Sequence, residues 1–198
     1  HVKRHSFPTR RSSDLPEGVK VSPDGKLVFV TSEVASLVHV VDAATGKVLK
    51  NIAAGKRPRR FAFNADASEL WVSNELGASV TVISVKDLAV THTVPFEVKG
   101  MRADDISPVD LKLSKDGKTM YVGLGRANHV AFVDVASKKT GALVLAGKRA
   151  WGLGLNGDGS QLWVANGLSD DVTVIDTASA KAVKTVKAGR VPHSVVVD

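Results

Sequence analysis

The stretch PEGVKVSPDGKLVFVTS at residues 16–32 decides the fold, because its pattern returns along the chain. The later copies begin with PRRFAFNADA at 58–67, PVDLKLSKDG at 108–117 and AWGLGLNGDG at 150–159, and PHSVVVD at 192–198 starts a fifth. Successive copies are 42, 50, 42 and 42 residues apart. A period of about 40 residues indicates a repeat architecture.

Each copy contains four short apolar runs. In the first copy the later runs are LVFVTS, SLVHVVD and KVLKNI. Alternating β-branched residues separated by Asp-Gly or Thr-Gly pairs predict antiparallel strands joined by tight turns. Four strands in about 42 residues are typical of a β-propeller blade. An antiparallel sandwich would not explain the fixed period.

The sequence therefore predicts an all-β fold, a β-propeller fragment of four-stranded antiparallel blades. The predicted blades are residues 16–57, 58–107, 108–149 and 150–191, with one closing strand at 192–198.

Residues 1–15, HVKRHSFPTRRSSDL, do not share the repeat. The string HSFPTRRSSDL resembles a conceptual translation of a sequencing-adapter oligonucleotide, so this segment is predicted to be non-native. We therefore expect the natural N-terminus, with a signal peptide and about three more blades, to be missing from this sequence. The alternative is a basic N-terminal arm.

Composition excludes several classes of site. The 198 residues include no cysteine, which excludes disulfides and Cys-ligated metals. No stretch approaches the roughly 18 apolar residues of a membrane span. The formal charge of +7 falls to +4 without residues 1–15. Because the cations lie in loops that lack exposed aromatic residues for base stacking, no nucleic-acid partner is expected.

The second run of each copy carries a family resemblance. These runs contain FVTS at 29–32, WVSN at 71–74, YVGL at 121–124 and WVAN at 163–166. They resemble the name-giving strand of the YVTN-type β-propeller repeat family. Longer stretches, such as WVSNELGASVTVISVKDL at 71–88, resemble the β-propeller proteins associated with PQQ-dependent alcohol catabolism. The resemblance implies a bacterial, periplasmic, seven-bladed propeller.

The candidate site follows from propeller geometry. Loops from the fourth strand of one blade to the first of the next meet the turns between second and third strands around one mouth of the channel. Every such loop carries at least one Arg, and a ring of cations attracts carboxylates or phosphates. The predicted ligand-binding residues are Lys56, Arg57, Arg59, Arg60, Arg102, Asp104, Asp105, Arg126, Asn128, His129, Lys148, Arg149, Trp151, Arg190 and His193.

The alternative for these residues is that they bind no ligand. The cations would then be solvated turn residues, paired with acidic neighbours such as Asp104, Asp105, Asp170 and Asp171. The connection at 97–107, eight residues longer than its counterparts, is predicted to elaborate the binding face. It would otherwise be a tolerated insertion.

The histidines give no clear metal or catalytic motif. His39 and His92 fall within predicted strands and are expected to be packing or edge residues. His129 and His193 are expected near the mouth, but no HxxxH or HExxH spacing supports a metal site. No Gly-x-Ser-x-Gly elbow is present, so no catalytic residue is assigned.

Two functions compete. The first is a non-catalytic periplasmic binding or scaffold protein, which the resemblance places beside PQQ-dependent alcohol oxidation. Its ligand would be an anionic small molecule, such as PQQ with its three carboxylates, or a partner quinoprotein dehydrogenase or cytochrome. The alternative is a propeller enzyme, either haem-binding and nitrite-reductase-like or lactonase-like, with His129 or His193 as ligand or base. The lack of a nucleophile or metal motif favours the first, and haem is not expected.

Overall fold

The computed structural model describes residues 15–197 and is all-β apart from one short 3-10 helix, Ala103–Asp105. Residues 1–14, which belong to the segment predicted to be non-native, and residue 198 lie outside the described residues. The described strands form four four-stranded sheets, each antiparallel throughout. The predicted all-β fold of four-stranded antiparallel blades is therefore confirmed. Over residues 15–197 there is no helix that is long and apolar enough to cross a membrane.

Within each sheet the strands pair in chain order. The first sheet comprises β1 (Pro16–Val21), β2 (Leu27–Ser32), β3 (Leu37–Asp42) and β4 (Val48–Ala53), and the second β5 (Pro58–Phe63), β6 (Glu69–Asn74), β7 (Ser79–Ser84) and β8 (Ala89–Pro95). The third comprises β9 (Pro108–Leu113), β10 (Thr119–Leu124), β11 (His129–Asp134) and β12 (Thr140–Leu145), and the fourth β13 (Ala150–Leu155), β14 (Gln161–Asn166), β15 (Asp171–Asp176) and β16 (Lys181–Lys187).

The first strands of neighbouring sheets lie side by side. Strand β5 contacts both β1 and β9, and β9 also contacts β13, although these strands share no hydrogen-bonded ladder. The four strands therefore line one surface, where equivalent positions of the repeat come together. We call this surface the channel.

Residues 192–197, predicted to begin a fifth innermost strand, are not a strand among the described residues. Their backbone lies against β13, where a Cβ added at Gly152 would collide with the carbonyl oxygen of His193. Because neighbouring innermost strands pack without a ladder, this position beside β13 gives the segment no strand hydrogen bonds.

Aromatic residues at one position of the second strands fill the space between sheets. Phe29 and Trp71 are fully buried, and Tyr121 is nearly so. Each packs with residues of the following sheet. Trp163 occupies the same position in the fourth sheet but is only half-buried. The described residues include no further sheet to cover it.

The turns between first and second strands follow the predicted Asp-Gly chemistry. In the third sheet, the Ser114 hydroxyl donates to Asp116 Oδ1 at 2.6 Å, and Gly117 takes a φ of 73°. The hydrogen bonds from Ser114 and from the Lys118 amide hold the pKa of Asp116 below its usual value. The first sheet repeats this arrangement with Ser22 and Asp24.

Trp71→Ala should lower the free energy of unfolding by about 3–5 kcal/mol, because it leaves a large cavity between the second and third sheets. Val48→Ala is the control, because Val48 is 57% exposed on β4 and its truncation should cost no more than about 0.5 kcal/mol. Urea unfolding curves measure both. Equal losses would show that Trp71 is not a core residue.

Ser114→Ala should raise the pKa of Asp116 towards the reference value of 3.8 by removing its main hydrogen-bond donor. A carboxyl with a depressed folded-state pKa contributes stability above its unfolded pKa, and this contribution is lost as the pH falls through the folded pKa. The variant should therefore lose less stability than the parent on acidification through this range. NMR titration measures the pKa, and Asp24, which keeps its own serine, should not change.

Candidate functional site

The loops that the sequence predicts to converge do meet at one end of the sheets. Backbone N–H groups of the turns after the second strands donate to the loops that precede the first strands. Glu75 N bonds to Arg57 O at 2.9 Å, Gly125 N to Ser107 O at 2.6 Å, and Gly167 N to Arg149 O at 3.0 Å. We call this end of the molecule the loop face.

An ionic group with a buried centre, the Arg–Glu cluster, lies at the loop face between the first and second sheets. It consists of Arg57, Arg59, Glu17, Glu33 and Glu75. Arg59 Nη1 donates to Glu75 Oε2 at 2.6 Å and lies 3.2 Å from Glu33 Oε1. Its Nη2 donates to Glu17 Oε1 at 2.8 Å. Burial lowers the pKa of Arg59, but Glu75, Glu17 and Glu33 outweigh it and raise the pKa overall.

Arg57 completes the cluster. Its Nε donates to Glu33 Oε2 at 2.9 Å and lies 3.1 Å from Glu75 Oε2. The sequence predicted that the arginines of the loop face are free to bind an anion. The structure shows instead that glutamates neutralise two of them, Arg57 and Arg59. The predicted partners Asp104, Asp170 and Asp171 form no ion pair among the described residues.

The residues at the second position of each innermost strand lie in or near the Arg–Glu cluster. It holds Glu17, Arg59, Val109 and Trp151 in β1, β5, β9 and β13, and His193 in the following segment. The Arg59 guanidinium lies 5.0 Å from the Trp151 ring centroid. Trp151 Nε1 donates to His193 Nε2 at 2.8 Å. One repeat position thus supplies a cation, an indole and an imidazole that are in contact.

The hydrogen bond from Trp151 restricts what His193 can do. Indole nitrogen is a donor only, so His193 Nε2 must be the acceptor and a neutral imidazole carries its proton on Nδ1. In this tautomer the indole engages the Nε2 lone pair and Nδ1 is a donor, so neither ring nitrogen is free to ligate a metal. This arrangement does not suit the alternative role of His193 as ligand or base.

A first cavity, the rim pocket, opens at the loop face beside Trp151. It has a volume of about 440 Å³. Its lining is Glu75, Arg126, Asn128, Lys148, Arg149, Trp151 and Leu168.

Backbone geometry positions one cation of the rim pocket. Arg149 has a φ of 62°, and its N–H donates to Asn128 Oδ1 at 2.7 Å. Its guanidinium lies 4.1 Å from the Trp151 ring centroid. Over residues 15–197, Arg126, Lys148 and Arg149 form no ion pair, so the pocket holds three uncompensated cations and Glu75.

A second cavity, the channel pocket, lies on the channel side of Trp151. Its volume is about 220 Å³. Its lining is Arg60, Val109, Asp110, Lys112, Trp151, Gly152, Leu153, His193, Ser194 and Val195. The structure thus places some of the predicted site residues in the Arg–Glu cluster and others in two pockets.

Other predicted site residues lie apart from both pockets. Arg102 pairs with Asp105 at 3.0 Å on the exposed long loop. Asp104 and Lys56 line a separate open cavity between the first three sheets. Arg190 is exposed and lines neither pocket.

The remaining histidines have local partners. His129 Nδ1 lies 2.5 Å from Ala127 O and lines neither pocket. His39 is in β3, with Nδ1 2.7 Å from Asn51 Oδ1, and His92 is exposed in β8. Residues 15–197 contain no group of three or more His, Asp or Glu side chains that could hold a metal ion.

Four acidic residues of this region were missed from the sequence. Glu33 and Glu75 directly follow the YVTN-type runs of the first two copies, where the later copies have glycine, and this difference was a usable signal. Glu17 shares its repeat position with Arg59. Asp110 Oδ2 accepts from Leu153 N at 2.9 Å, a contact between sheets that no motif indicates.

Comparison with known proteins gives one family. The model of the family described as "Lactonase, 7-bladed beta-propeller" matches residues 19–198. A seven-bladed beta-propeller protein of Mycobacterium tuberculosis is 34% identical over 130 residues, which are 64% of this chain and 31% of that protein. The uncharacterized protein YncE of Salmonella typhimurium is 35% identical over 50% of this chain and 26% of its own length. The aligned part thus spans about a third of these relatives or less.

Solved structures share the fold at lower identity. The Pseudomonas aeruginosa periplasmic gluconolactonase aligns with a TM-score of 0.79 and 24% identity, covering 91% of this chain and 56% of that chain. Kuenenia stuttgartiensis hydrazine synthase aligns with a TM-score of 0.77 and 23% identity, covering 92% and 52%. These structures establish the similarity of fold.

Arg59→Met should lower the free energy of unfolding by about 3–5 kcal/mol, because it removes the most buried cation of the cluster and leaves the buried Glu33 and Glu75 to share Arg57, whose side chain is 40% exposed. Arg102→Met is the matched control: it also breaks an Arg–carboxylate pair, but its guanidinium is 84% exposed, so no measurable change is expected. Urea unfolding at neutral pH measures both variants. If Arg59→Met behaves like Arg102→Met, the cluster does not hold the two sheets together.

Proposed function

The chain belongs to the seven-bladed β-propeller lactonase family, and from this we propose that it hydrolyses a lactone at the rim pocket. One observation carries the choice of site. Three cations without counter-charges, Arg126, Lys148 and Arg149, line a cavity together with the carboxylate of Glu75. Family membership suggests the reaction class, and this pocket offers the groups that the reaction needs.

Hydrolysis of a lactone adds water across the ring ester. Water attacks the carbonyl carbon, the ring C–O bond breaks, and the ring oxygen takes up a proton to give a hydroxy acid. Such a reaction is assisted by a base that accepts a proton from water and by donors that stabilise the tetrahedral oxyanion. Glu75 is proposed as the base, and Arg149 with Lys148 as the groups that stabilise the oxyanion and retain the carboxylate product.

The Arg–Glu cluster would position the proposed base. Glu75 Oε2 accepts a hydrogen bond from Arg59 and lies 3.1 Å from Arg57 Nε. A carboxylate held through one oxygen has a fixed orientation towards the pocket. Arg57 and Arg59 are therefore proposed to be positioning residues that do not bind substrate.

The substrate class follows from the charge of the pocket. An excess of two positive charges over Glu75 favours a lactone that itself carries an anionic group, or one whose product is retained through its carboxylate. Sugar lactones are the class to test first, since the Pseudomonas aeruginosa gluconolactonase shares this fold.

The second candidate is the non-catalytic role beside PQQ-dependent alcohol oxidation, which the sequence resemblance suggests. The observation that favours it is the match between the three uncompensated cations of the rim pocket and the three carboxylates of PQQ. A periplasmic location and a quinoprotein dehydrogenase or cytochrome partner belong to this proposal.

Glu75→Gln should reduce kcat for glucono-δ-lactone by about 100-fold or more, because glutamine keeps the size of the side chain but cannot accept a proton. Arg149→Met should lower kcat for the same substrate by about 100-fold, because it removes one of the two groups proposed to stabilise the oxyanion, and should also raise KM for a lactone that carries an anionic group. Lys184→Met, on the exposed outer strand β16, is the control and should leave both constants unchanged. Acid release in a pH-stat measures the rates, and thermal melting shows whether each variant is folded.

The two candidate functions give different results. Absence of hydrolysis by the parent protein, together with PQQ binding that Arg149→Met weakens in calorimetry, would reject the lactonase proposal and support the second candidate. Full activity of Glu75→Gln would remove Glu75 as the base. A stoichiometric haem in the absorption spectrum of the purified protein would contradict both candidates.

A further inference from the structure

The channel pocket has polar side chains that almost all donate hydrogen bonds. Arg60 and Lys112 are donors only, and the Ser194 hydroxyl can donate. His193 joins them, because Trp151 occupies its Nε2 and leaves the proton on Nδ1. Donors that converge on one cavity suit a ligand that only accepts hydrogen bonds.

The one carboxylate that lines this pocket, Asp110, accepts hydrogen bonds from backbone N–H groups through both of its oxygens. Asp110 Oδ1 accepts from its neighbour Leu111 N at 3.0 Å, and Oδ2 accepts from Leu153 N at 2.9 Å across to β13. Within the described chain Asp110 forms no ion pair with Arg60 or Lys112. It therefore bridges two innermost strands and leaves these cations without a close partner inside the pocket.

The other candidate counter-charge is Glu17. Its Oε1 lies 3.6 Å from Arg60 Nη2 but accepts the shorter hydrogen bond, 2.8 Å, from Arg59. Lys112 is exposed to the channel and forms no ion pair over residues 15–197. The pocket consequently has an excess of positive charge, which a narrow cavity between protein walls concentrates.

The channel pocket is distinct from the rim pocket. Trp151 is the residue that lines both, with Arg149 stacked on it at the rim and His193 bonded to its Nε1 in the channel. The channel pocket has half the volume, 220 Å³ against 440 Å³. At about 30 Å³ per water, it holds the equivalent of roughly seven waters, which suits a phosphate or a short carboxylate.

From these features we propose that the channel pocket is a binding site for a small oxyanion, held by Arg60, Lys112 and the Nδ1–H of His193. The shared chemistry is a compact group of acceptor oxygens with negative charge. Either inorganic phosphate or the carboxylate of a small organic acid supplies it. The site is independent of lactone hydrolysis at the rim.

Calorimetric titration of the purified protein with phosphate, and separately with acetate, tests the proposal. Lys112→Met and Arg60→Met should each weaken binding about tenfold, which corresponds to the loss of one charge-assisted hydrogen bond. Arg60→Lys should retain most of the affinity. Higher ionic strength should weaken binding by the parent protein. The two titrations distinguish a phosphate site from a carboxylate site.

The matched control is Lys20→Met. Lys20 occupies the same repeat position in β1 as Lys112 in β9, but it does not line the pocket. Binding should be unchanged in this variant. Lack of binding of either anion by the parent overturns the proposal, as does an equal loss in Lys20→Met and Lys112→Met. Retained lactone hydrolysis in Lys112→Met separates this result from the proposed function.

Discussion

The structure of the loop face depends on how the buried guanidinium of Arg59 is neutralised. Arg59 lies between two sheets, and a buried charge is tolerated only where opposite charges and hydrogen bonds replace water. Glu17 and Glu33 come from the first sheet and Glu75 from the second, so compensation requires that these sheets dock in one relative position. That position also holds Arg59 against Trp151, and thereby fixes the wall between the two pockets.

The opposite ends of the sheets are joined by a separate ion pair. Lys138, from the turn after β11, donates to Glu69 Oε2 at 2.7 Å and lies 5.1 Å from the Trp71 ring centroid. This contact joins the third sheet to the second over a buried aromatic core. Charge therefore occurs at both ends of the sheets, and at the loop face of the described chain the rim pocket combines the carboxylate of Glu75 with three cations that form no ion pair.

The sequence predicted the fold well because the fold depends on periodicity. Four apolar runs in each copy, with Asp-Gly turns in three of the four copies, were enough to place all sixteen described strands in their sheets. The same repeat also predicted a closing strand at 192–198, but residues 192–197 form no strand, because strand hydrogen bonds require a paired neighbour. Trp163 illustrates the same limit, because burial depends on what covers a side chain.

The site was predicted only in part. The repeat identified the loop face and the residues Arg59, Arg149, Trp151 and His193, but it did not show which cations carry free charge. That depends on distances between Glu33, Glu75 and the arginines, and ion pairs between different copies leave no spacing signal. The tautomer of His193 likewise follows from one contact with Trp151.

The second position of the innermost strands differs from copy to copy although the backbone around it is conserved within the repeat. It holds Glu, Arg, Val and Trp in the four complete copies, while the hydrogen-bonded ladders around it are nearly the same. Because each repeat is held mainly by its own ladder and its neighbours, different side chains fit this position within one architecture, provided that neighbouring copies supply their partners. A propeller built from duplicated repeats can thus change what it binds through a single substitution at this position in one blade.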